Sequence, residues 1–340
     1  MDFNALLKQA MHMKASDLHL TVEASPLVRV KGRLSTLDFP PIKHGFMQLL
    51  SKDLLDDQRQ SHFTQHGHVS FSHGVSGLGR FRIAMYRQRG SIALSIRLVY
   101  PGIPTLADSR LPTVMAQAAL SDEGMIIVTG AKGSGKSVAL AGMIHHINLT
   151  RDAHVITIED PVEFLHKHLK SVVHQREIGT DLESYAQGLI AARKQDADVI
   201  AVSDLPDEQT LRLCLDAASS RCLVIGCVRA SGVQSALKAI FDESAAQSRT
   251  ALCSSLADCL IGVFAIRLVH SSVLGEMVPV TEALLVTPAV REIIREDRLH
   301  HIDAAMQTGT KYGMMTFDSC AQSLIEQELI SREDYRVRNQ

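Results

Sequence analysis

The sequence feature that most constrains this chain is the segment at residues 130–137, which fits the pattern GxxxxGK[ST]. It follows an apolar stretch at residues 125–129 and opens a helix candidate at residues 136–149. Glycines let backbone N–H groups converge on phosphate oxygens, and the start of a helix adds favourable partial charge. Because the pattern stands between a strand and a helix, it predicts a phosphate-binding loop within an α/β fold.

The loop also predicts a ligand and the residues that hold it. We expect Lys136 to reach the β- and γ-phosphates of a nucleoside triphosphate, and Ser137 to bind the accompanying metal ion. The predicted cofactors are therefore ATP and Mg²⁺. The residues predicted to bind the nucleotide are Gly130, Ala131, Lys132, Gly133, Ser134, Gly135, Lys136 and Ser137.

Apolar runs of strand length alternate with helical segments in the larger, later part of the chain. Uninterrupted apolar strands are typical of parallel sheets that are covered on both faces. The predicted strands are 125–129, 154–159, 199–202 and 222–228, and the predicted helices are 136–149, 182–193 and 207–218. A strand pair at 263–269 and 277–286 and a terminal helical set follow.

The first hundred or so residues show a different pattern, in which one helix precedes short strands and hairpin turns. The helix is predicted at 3–13, and the strands at 18–22, 27–30, 80–87 and 91–99. A stretch rich in proline and glycine comes next. We therefore predict an α+β domain at 1–99, a linker at 100–108 and a nucleotide-binding domain at 109–340, with C-terminal helices over about 288–340.

Two predicted strands end on acidic residues. An ATPase needs carboxylates near the phosphates to hold Mg²⁺ with its waters and to orient the attacking water. Glu159 and Asp160 end one apolar strand and Asp204 follows another, at the edge where ligand sites of parallel sheets lie. Glu159 and Asp204 are therefore candidate catalytic residues. The alternative that either acid caps a following helix or turn stays open.

Composition limits the other classes of function. The net charge is −2 and there is no basic tail, which argues against a nucleic-acid partner. The six cysteines form no CxxC pair, so a reducing compartment is expected. No signal peptide and no apolar run of about 20 residues is present, which predicts a cytoplasmic protein that meets a membrane only through partners.

Further motifs occur in a fixed order around the loop. They read SDLHL at 16–20, PLVRVKG at 26–32, GRFR at 79–82, TIEDPVEF at 157–164, QREIG at 175–179, AVREIIRE at 289–296 and GMMTFD at 313–318. Together they span nearly the whole chain. With them the chain resembles the type IV pilus retraction ATPases, the PilT/PilU branch of the type II/IV secretion ATPase superfamily.

The resemblance implies a PAS-like N-terminal domain, a RecA-like ATPase domain and a ring that is a homohexamer or is mixed with a related retraction ATPase. It also implies a partner in the pilus platform protein of the inner membrane, where the chain would be peripheral. Nucleotide would lie between the domains, so Arg80, Arg82 and Arg97 become candidate catalytic arginines. Ordinary ion pairing of these arginines is the alternative.

The chain departs from the family pattern where the chemistry is expected. Asp204 replaces the Walker B glutamate, which moves the carboxylate about 1.5 Å towards the backbone, and Pro206 replaces an arginine. Arg229 replaces the histidine of the family's His box and cannot accept a hydrogen bond or titrate near neutrality. The stretches at 220–222 and 263–267 differ as well. These changes predict retained nucleotide binding with impaired or altered hydrolysis.

Two functions therefore remain for the chain. The first is an ATP-driven subunit that promotes pilus retraction and twitching motility. The second is an accessory subunit that binds ATP without hydrolysing it and modulates a competent retraction ATPase. An ATPase of a related secretion or DNA-uptake system ranks behind both, because the tetracysteine insert usual in extension-type relatives is missing.

Overall fold

The computed structural model describes residues 1–30, 32–100, 102–242 and 246–336. Lys31 of the PLVRVKG motif and Pro101 of the predicted linker lie outside the described residues. So do 243–245 and 337–340 of the predicted nucleotide-binding domain. The chain divides into two compact units, Met1–Gly102 and Ile103–Gln340.

The Met1–Gly102 unit is an antiparallel sheet with helices. Its helices are α1 (Phe3–His12), α2 (His44–Leu54) and α3 (Asp57–His66), and its strands are β1 (Asp17–Leu20), β2 (Leu27–Val30), β3 (Arg33–Thr36), β4 (His68–Val75), β5 (Gly79–Gln88) and β6 (Ser91–Val99). The strand order is β3-β2-β1-β6-β5-β4. Phe81, Ile83 and Met85 alternate along β5 and are fully buried in one apolar core, which leaves Arg82 exposed between them.

The sequence pattern found part of this unit. The strands predicted at 27–30 and 91–99 are confirmed as β2 and β6, and the helix at 3–13 is α1. The strand predicted at 18–22 ends at Leu20. Strand β3 escaped prediction because all four of its residues are exposed, so it carries no apolar alternation.

The Ile103–Gln340 unit contains a mixed sheet flanked by helices. Its strands are β7 (Gly124–Thr129), β8 (His154–Glu159), β9 (Val172–Glu177), β10 (Val199–Val202), β11 (Leu223–Val228), β12 (Leu260–His270) and β13 (Met277–Leu285). Its helices are α4 (Thr113–Ala118), α5 (Lys136–Thr150), α6 (Tyr185–Arg193), α7 (Glu208–Ala218), α8 (Val233–Asp242), α9 (Ala246–Cys259), α10 (Pro288–Arg295), α11 (Ile302–Thr308), α12 (Phe317–Glu326) and α13 (Arg332–Arg336), with 3-10 turns at Leu299–His301 and Thr310–Tyr312.

Parallel pairing dominates this second sheet. The strand order is β13-β12-β7-β11-β10-β8-β9, and β13 alone among the described strands of this sheet runs antiparallel to its neighbour. Met125 and Ile127 of β7 enter one apolar core, whereas Ile126 and Val128 enter another. Because both faces are covered, the central strands are apolar throughout, as the sequence predicted.

Helix α6 begins three residues later than predicted. Leu182, where the pattern placed its start, instead pairs with Ile178 in an isolated β-bridge. Ser184 then caps the helix, since its side chain accepts a hydrogen bond from the backbone of Gln187. Among the described residues, no helix is long and apolar enough to cross a membrane.

Candidate nucleotide-binding site

The predicted phosphate loop joins the end of β7 to the start of α5. Gly130 has φ +156°, and a Cβ there would lie 2.2 Å from Ser134 Oγ and 2.6 Å from the carbonyl oxygen of Ile266. Gly135, which precedes the first residue of α5, has φ +100°. The loop therefore needs glycine at 130 for lack of space and at 135 for its left-handed backbone.

The side chain of Lys136 lies along the loop. Its Nζ donates hydrogen bonds to the carbonyl oxygens of Gly130 at 2.6 Å and of Ala131 at 2.9 Å. Burial lowers the pKa of Lys136 from its usual value, and the positive charge of Arg229 adds to that effect. An anion bound at this loop would favour the ammonium form and oppose both effects.

Ser134 indicates that the loop suits a phosphate group. Its side chain is 3% exposed, and its Oγ has no hydrogen-bond partner among the described residues. A buried hydroxyl without a partner costs stability, so such a group in a native fold suggests a ligand. The glycine cradle, the ammonium of Lys136 and the N-terminus of α5 supply the remaining features of an anion site. Ser137 lies half-buried in the first turn of α5, where its hydroxyl fits the predicted role of Mg²⁺ ligand.

Glu159 ends β8 as a buried carboxylate, 8% exposed. Its Oε1 accepts hydrogen bonds from Thr157 Oγ1 at 2.6 Å and from Gln175 Nε2 at 3.0 Å. Burial raises the pKa of Glu159 above its usual value, although these hydrogen bonds act against the shift. A carboxylate with a raised pKa is a better proton acceptor near neutral pH.

Asp204 and Arg229, the two main departures from the family pattern, contact each other. Arg229 Nη2 lies 2.6 Å from Asp204 Oδ2, with side-chain exposures of 69% for the arginine and 21% for the aspartate. Parallel register brings them together, because Val202, the last residue of β10, pairs with Gly226 near the end of β11. The sequence identified both residues but did not predict that they form one ion pair.

Three further residues near these strand ends were not predicted to act. Ser203 Oγ accepts a hydrogen bond from the backbone of Asp160 at 3.1 Å and lies 3.0 Å from Tyr185 Oη. Burial raises the pKa of Tyr185 to about 12. Glu163 is exposed, and its negative charge acts against the lowering of the pKa of Lys136 by burial. Glu163 belongs to the TIEDPVEF motif, whereas no sequence pattern links Tyr185 to Ser203.

The predicted arginines belong to the sheet of the Met1–Gly102 unit. Arg82 of β5 and Arg97 of β6 are directly opposite each other in register, and both are exposed. Arg97 Nε donates a hydrogen bond to Asp17 Oδ1 at 3.2 Å, whereas Arg80 is half-buried. Like charges opposed across a sheet are unfavourable by themselves, and the carboxylate of Asp17 offsets the charge of Arg97, so ordinary ion pairing is what the structure shows for that arginine.

A parallel α/β sheet with a glycine loop between a central strand and the following helix defines the P-loop nucleotide-binding class. Within that class, the chain belongs to the family of type II/IV secretion system proteins, whose family model matches residues 1–328. The sequence-based assignment to this superfamily is confirmed.

Similar proteins of known name indicate which branch of the family this chain resembles. The type IV pilus retraction ATPase PilT of Pseudomonas aeruginosa is 33% identical over 99% of this chain and 98% of its own length. The type IV pilus ATPase PilU of the same organism is 30% identical over 98% of this chain and 87% of its own length. A crystal structure of the pilus retraction motor PilT with bound ADP is 35% identical, with a TM-score of 0.91 over 98% of this chain and 96% of that one. The predicted RecA-like α/β fold is thereby confirmed.

We predict that Gly130→Ala weakens nucleotide binding. The added methyl group would meet Ser134 Oγ and a backbone carbonyl, and overpacking of this kind costs about 1–3 kcal/mol, or roughly 5- to 150-fold in affinity. The measurement is the dissociation constant of Mg·ADP by isothermal titration calorimetry. Gly275→Ala is the matched control, because Gly275 has φ +69° but no atom within 4 Å of an added Cβ. Equal affinities of the two variants would contradict the prediction.

We predict that Glu159→Gln changes how stability depends on pH. The folded-state pKa of Glu159 lies above its usual value of 4.5. At pH values between these two pKa values, the folded state therefore binds more protons than the unfolded state. The free energy of unfolding should therefore fall as pH rises from about 4.5 through the folded-state pKa. Glutamine cannot lose that proton, so the variant should show a smaller fall.

Urea unfolding at several pH values measures this difference. Glu183→Gln removes an exposed carboxylate and controls for the lost charge. A Glu159→Gln variant with the same decline as the parent would argue against a raised pKa.

Proposed function

We propose that this chain is an ATP-hydrolysing subunit of a type IV pilus retraction motor, the machinery of twitching motility. The observation that carries the proposal is the complete phosphate loop between β7 and α5, with the buried carboxylate of Glu159 at the same edge of the sheet. The PilT relatives support it, because they are described as a retraction ATPase and as a retraction motor that holds ADP.

Each residue of the site has a different role in ATP hydrolysis. Lys136 neutralises phosphate charge, and Ser137 would hold Mg²⁺ through its hydroxyl; the ion would offset charge that develops on the phosphate oxygens. Glu159 is the candidate acceptor for the proton of the attacking water, since its burial raises its pKa. Asp204 is the second candidate for orienting that water.

We infer the wider architecture from family membership. Residues 1–99 would form a PAS-like domain, 100–108 a linker and 109–340 the RecA-like ATPase domain. The chain would assemble as a homohexamer or as a mixed ring with a related retraction ATPase. In this proposal the ring is cytoplasmic and peripheral to the inner membrane, where the pilus platform protein is its partner and nucleic acid is not.

An accessory role is the second candidate, and one contact favours it. Asp204 replaces the glutamate of the Walker B motif, and its carboxylate is already neutralised by Arg229 at 2.6 Å. A carboxylate that is held in an ion pair is less available to orient water. A chain of this kind would bind ATP structurally and modulate a competent retraction ATPase in the same ring.

Steady-state ATPase activity of the purified protein with Mg²⁺ separates the two functions. We expect turnover that Lys136→Ala lowers by on the order of 100-fold or more, because the variant loses the ammonium that neutralises the phosphates. Lys238→Ala removes an exposed lysine of α8 and should leave turnover unchanged. ATP binding without turnover, alone and with a related retraction ATPase, would instead identify the accessory role.

We further propose that Arg82, with Arg80 and Arg97, supplies positive charge to the bound nucleotide within the assembled protein. Arg82→Ala should then lower turnover by on the order of tenfold or more, since such arginines stabilise charge in the transition state. Arg33→Ala is the control, because Arg33 is exposed on β3 of the same unit. Equal activities of the two variants would show that Arg82 is a surface residue with no role at the nucleotide.

A further inference from the structure

Arg229 lies beside the first residue of the phosphate loop. Strand β11 pairs with β7 up to Val228 and Thr129, so Arg229 and Gly130 are the residues that follow this last pair. Thr129 Oγ1 also donates a hydrogen bond of 3.4 Å to the carbonyl oxygen of Ala230, the next residue along. The backbone of Arg229 is thus fixed at the entrance to the predicted phosphate site.

Asp204 is the rigid member of its pair with Arg229. The backbone N–H of Leu205 donates to the carbonyl oxygen of Cys227 at 3.0 Å, which ties the chain after Asp204 to β11. The side chain of Leu205 packs where Gly226 leaves room, since a Cβ there would lie 2.9 Å from Leu205 Cδ1. On its other side, Ser203 bonds the backbone of Asp160.

Arg229 is the movable member of the pair. Its side chain is 69% exposed, and its contact with Asp204 uses a single nitrogen of a guanidinium that carries five N–H donors. Exposed ion pairs add little to stability, so a better anion can replace the carboxylate. Phosphate is such an anion, because the guanidinium fork matches its oxygens.

The loop behind Arg229 is held in place by other contacts, so the side chain of Arg229 can rotate without a movement of the backbone. Arg267 donates two hydrogen bonds to the carbonyl oxygen of Ser231, at 2.8 and 3.1 Å. Glu282 Oε2 accepts a hydrogen bond from the backbone of Val233 at 2.9 Å, at the start of α8. Both contacts leave the guanidinium of Arg229 free to turn between partners.

We propose that Arg229 changes partners with the nucleotide state: it holds Asp204 when no γ-phosphate is present and contacts the γ-phosphate when ATP is bound. The site thereby distinguishes a nucleoside triphosphate from a diphosphate, and the carboxylate of Asp204 is released only in the triphosphate state. The inference rests on the proposed function in one respect, namely that the loop binds ATP. It does not depend on turnover.

The experiment is a double-mutant cycle read out as nucleotide affinity. Dissociation constants of Mg·ADP and of a non-hydrolysable ATP analogue are measured by calorimetry on the full chain and on Arg229→Ala, Asp204→Asn and the double variant. Arg229→Ala should weaken the analogue on the order of tenfold and leave ADP unchanged, because a charge-assisted hydrogen bond is lost. Asp204→Asn should tighten the analogue, because Arg229 no longer has a competing partner.

The double variant separates partner exchange from simple electrostatics. If Asp204 only repels phosphate, Asp204→Asn will tighten the analogue equally whether or not Arg229 is present. Under partner exchange the gain disappears in the Arg229→Ala background. Arg212→Ala, which breaks the half-buried pair of Arg212 with Glu208 on α7, is the control and should change neither affinity.

The remaining outcomes overturn the inference. Equal weakening of both ligands by Arg229→Ala, or no change in either, would show that Arg229 does not sense the γ-phosphate. If the effects of the two substitutions on analogue affinity simply add, Asp204 acts only by repelling phosphate and does not compete for Arg229. Failure of the parent chain to bind either nucleotide, or binding that Lys136→Ala leaves intact, would refute the proposed ATP site itself and the exchange with it.

Discussion

Backbone hydrogen bonds in parallel ladders join β7 to β11, β11 to β10 and β10 to β8. Because all four strands run in one direction, the residues at their carboxyl ends meet at one edge of the sheet. Gly130, Glu159, Asp204 and Arg229 are placed at these ends, although they are far apart in the sequence. Both the phosphate loop and its acidic neighbours depend on this register.

The two candidate carboxylates at this edge differ in chemistry because their surroundings differ. Glu159 is buried, which raises its pKa, and it is oriented by Thr157 and Gln175. Asp204 is more exposed and is paired with a guanidinium. One carboxylate is thereby suited to accept a proton, whereas the other is suited to balance a charge. The loss of the Walker B glutamate therefore need not remove every base from the site.

Sequence patterns predicted the strands of the parallel sheet best, because their apolar runs have a single physical cause. The runs of β7, β8, β10 and β11 are apolar because both faces of the sheet are covered, and each was located to within a residue or so. Strand β9 was missed, since its residues 174–176 are polar and it lies at the edge of the described sheet. A strand at the edge of a sheet is more exposed to solvent, so its apolar pattern is weaker.

The sequence by itself determined the phosphate loop, the α/β class and the family, since these follow from residues that are neighbours along the chain or occur in a fixed order. It also identified Asp204 and Arg229 as departures from the family pattern. Only the tertiary structure decided that the two form one ion pair at 2.6 Å, and that Tyr185 bonds Ser203. Such contacts depend on strand register and side-chain direction, which join distant parts of the chain and leave no local pattern in it.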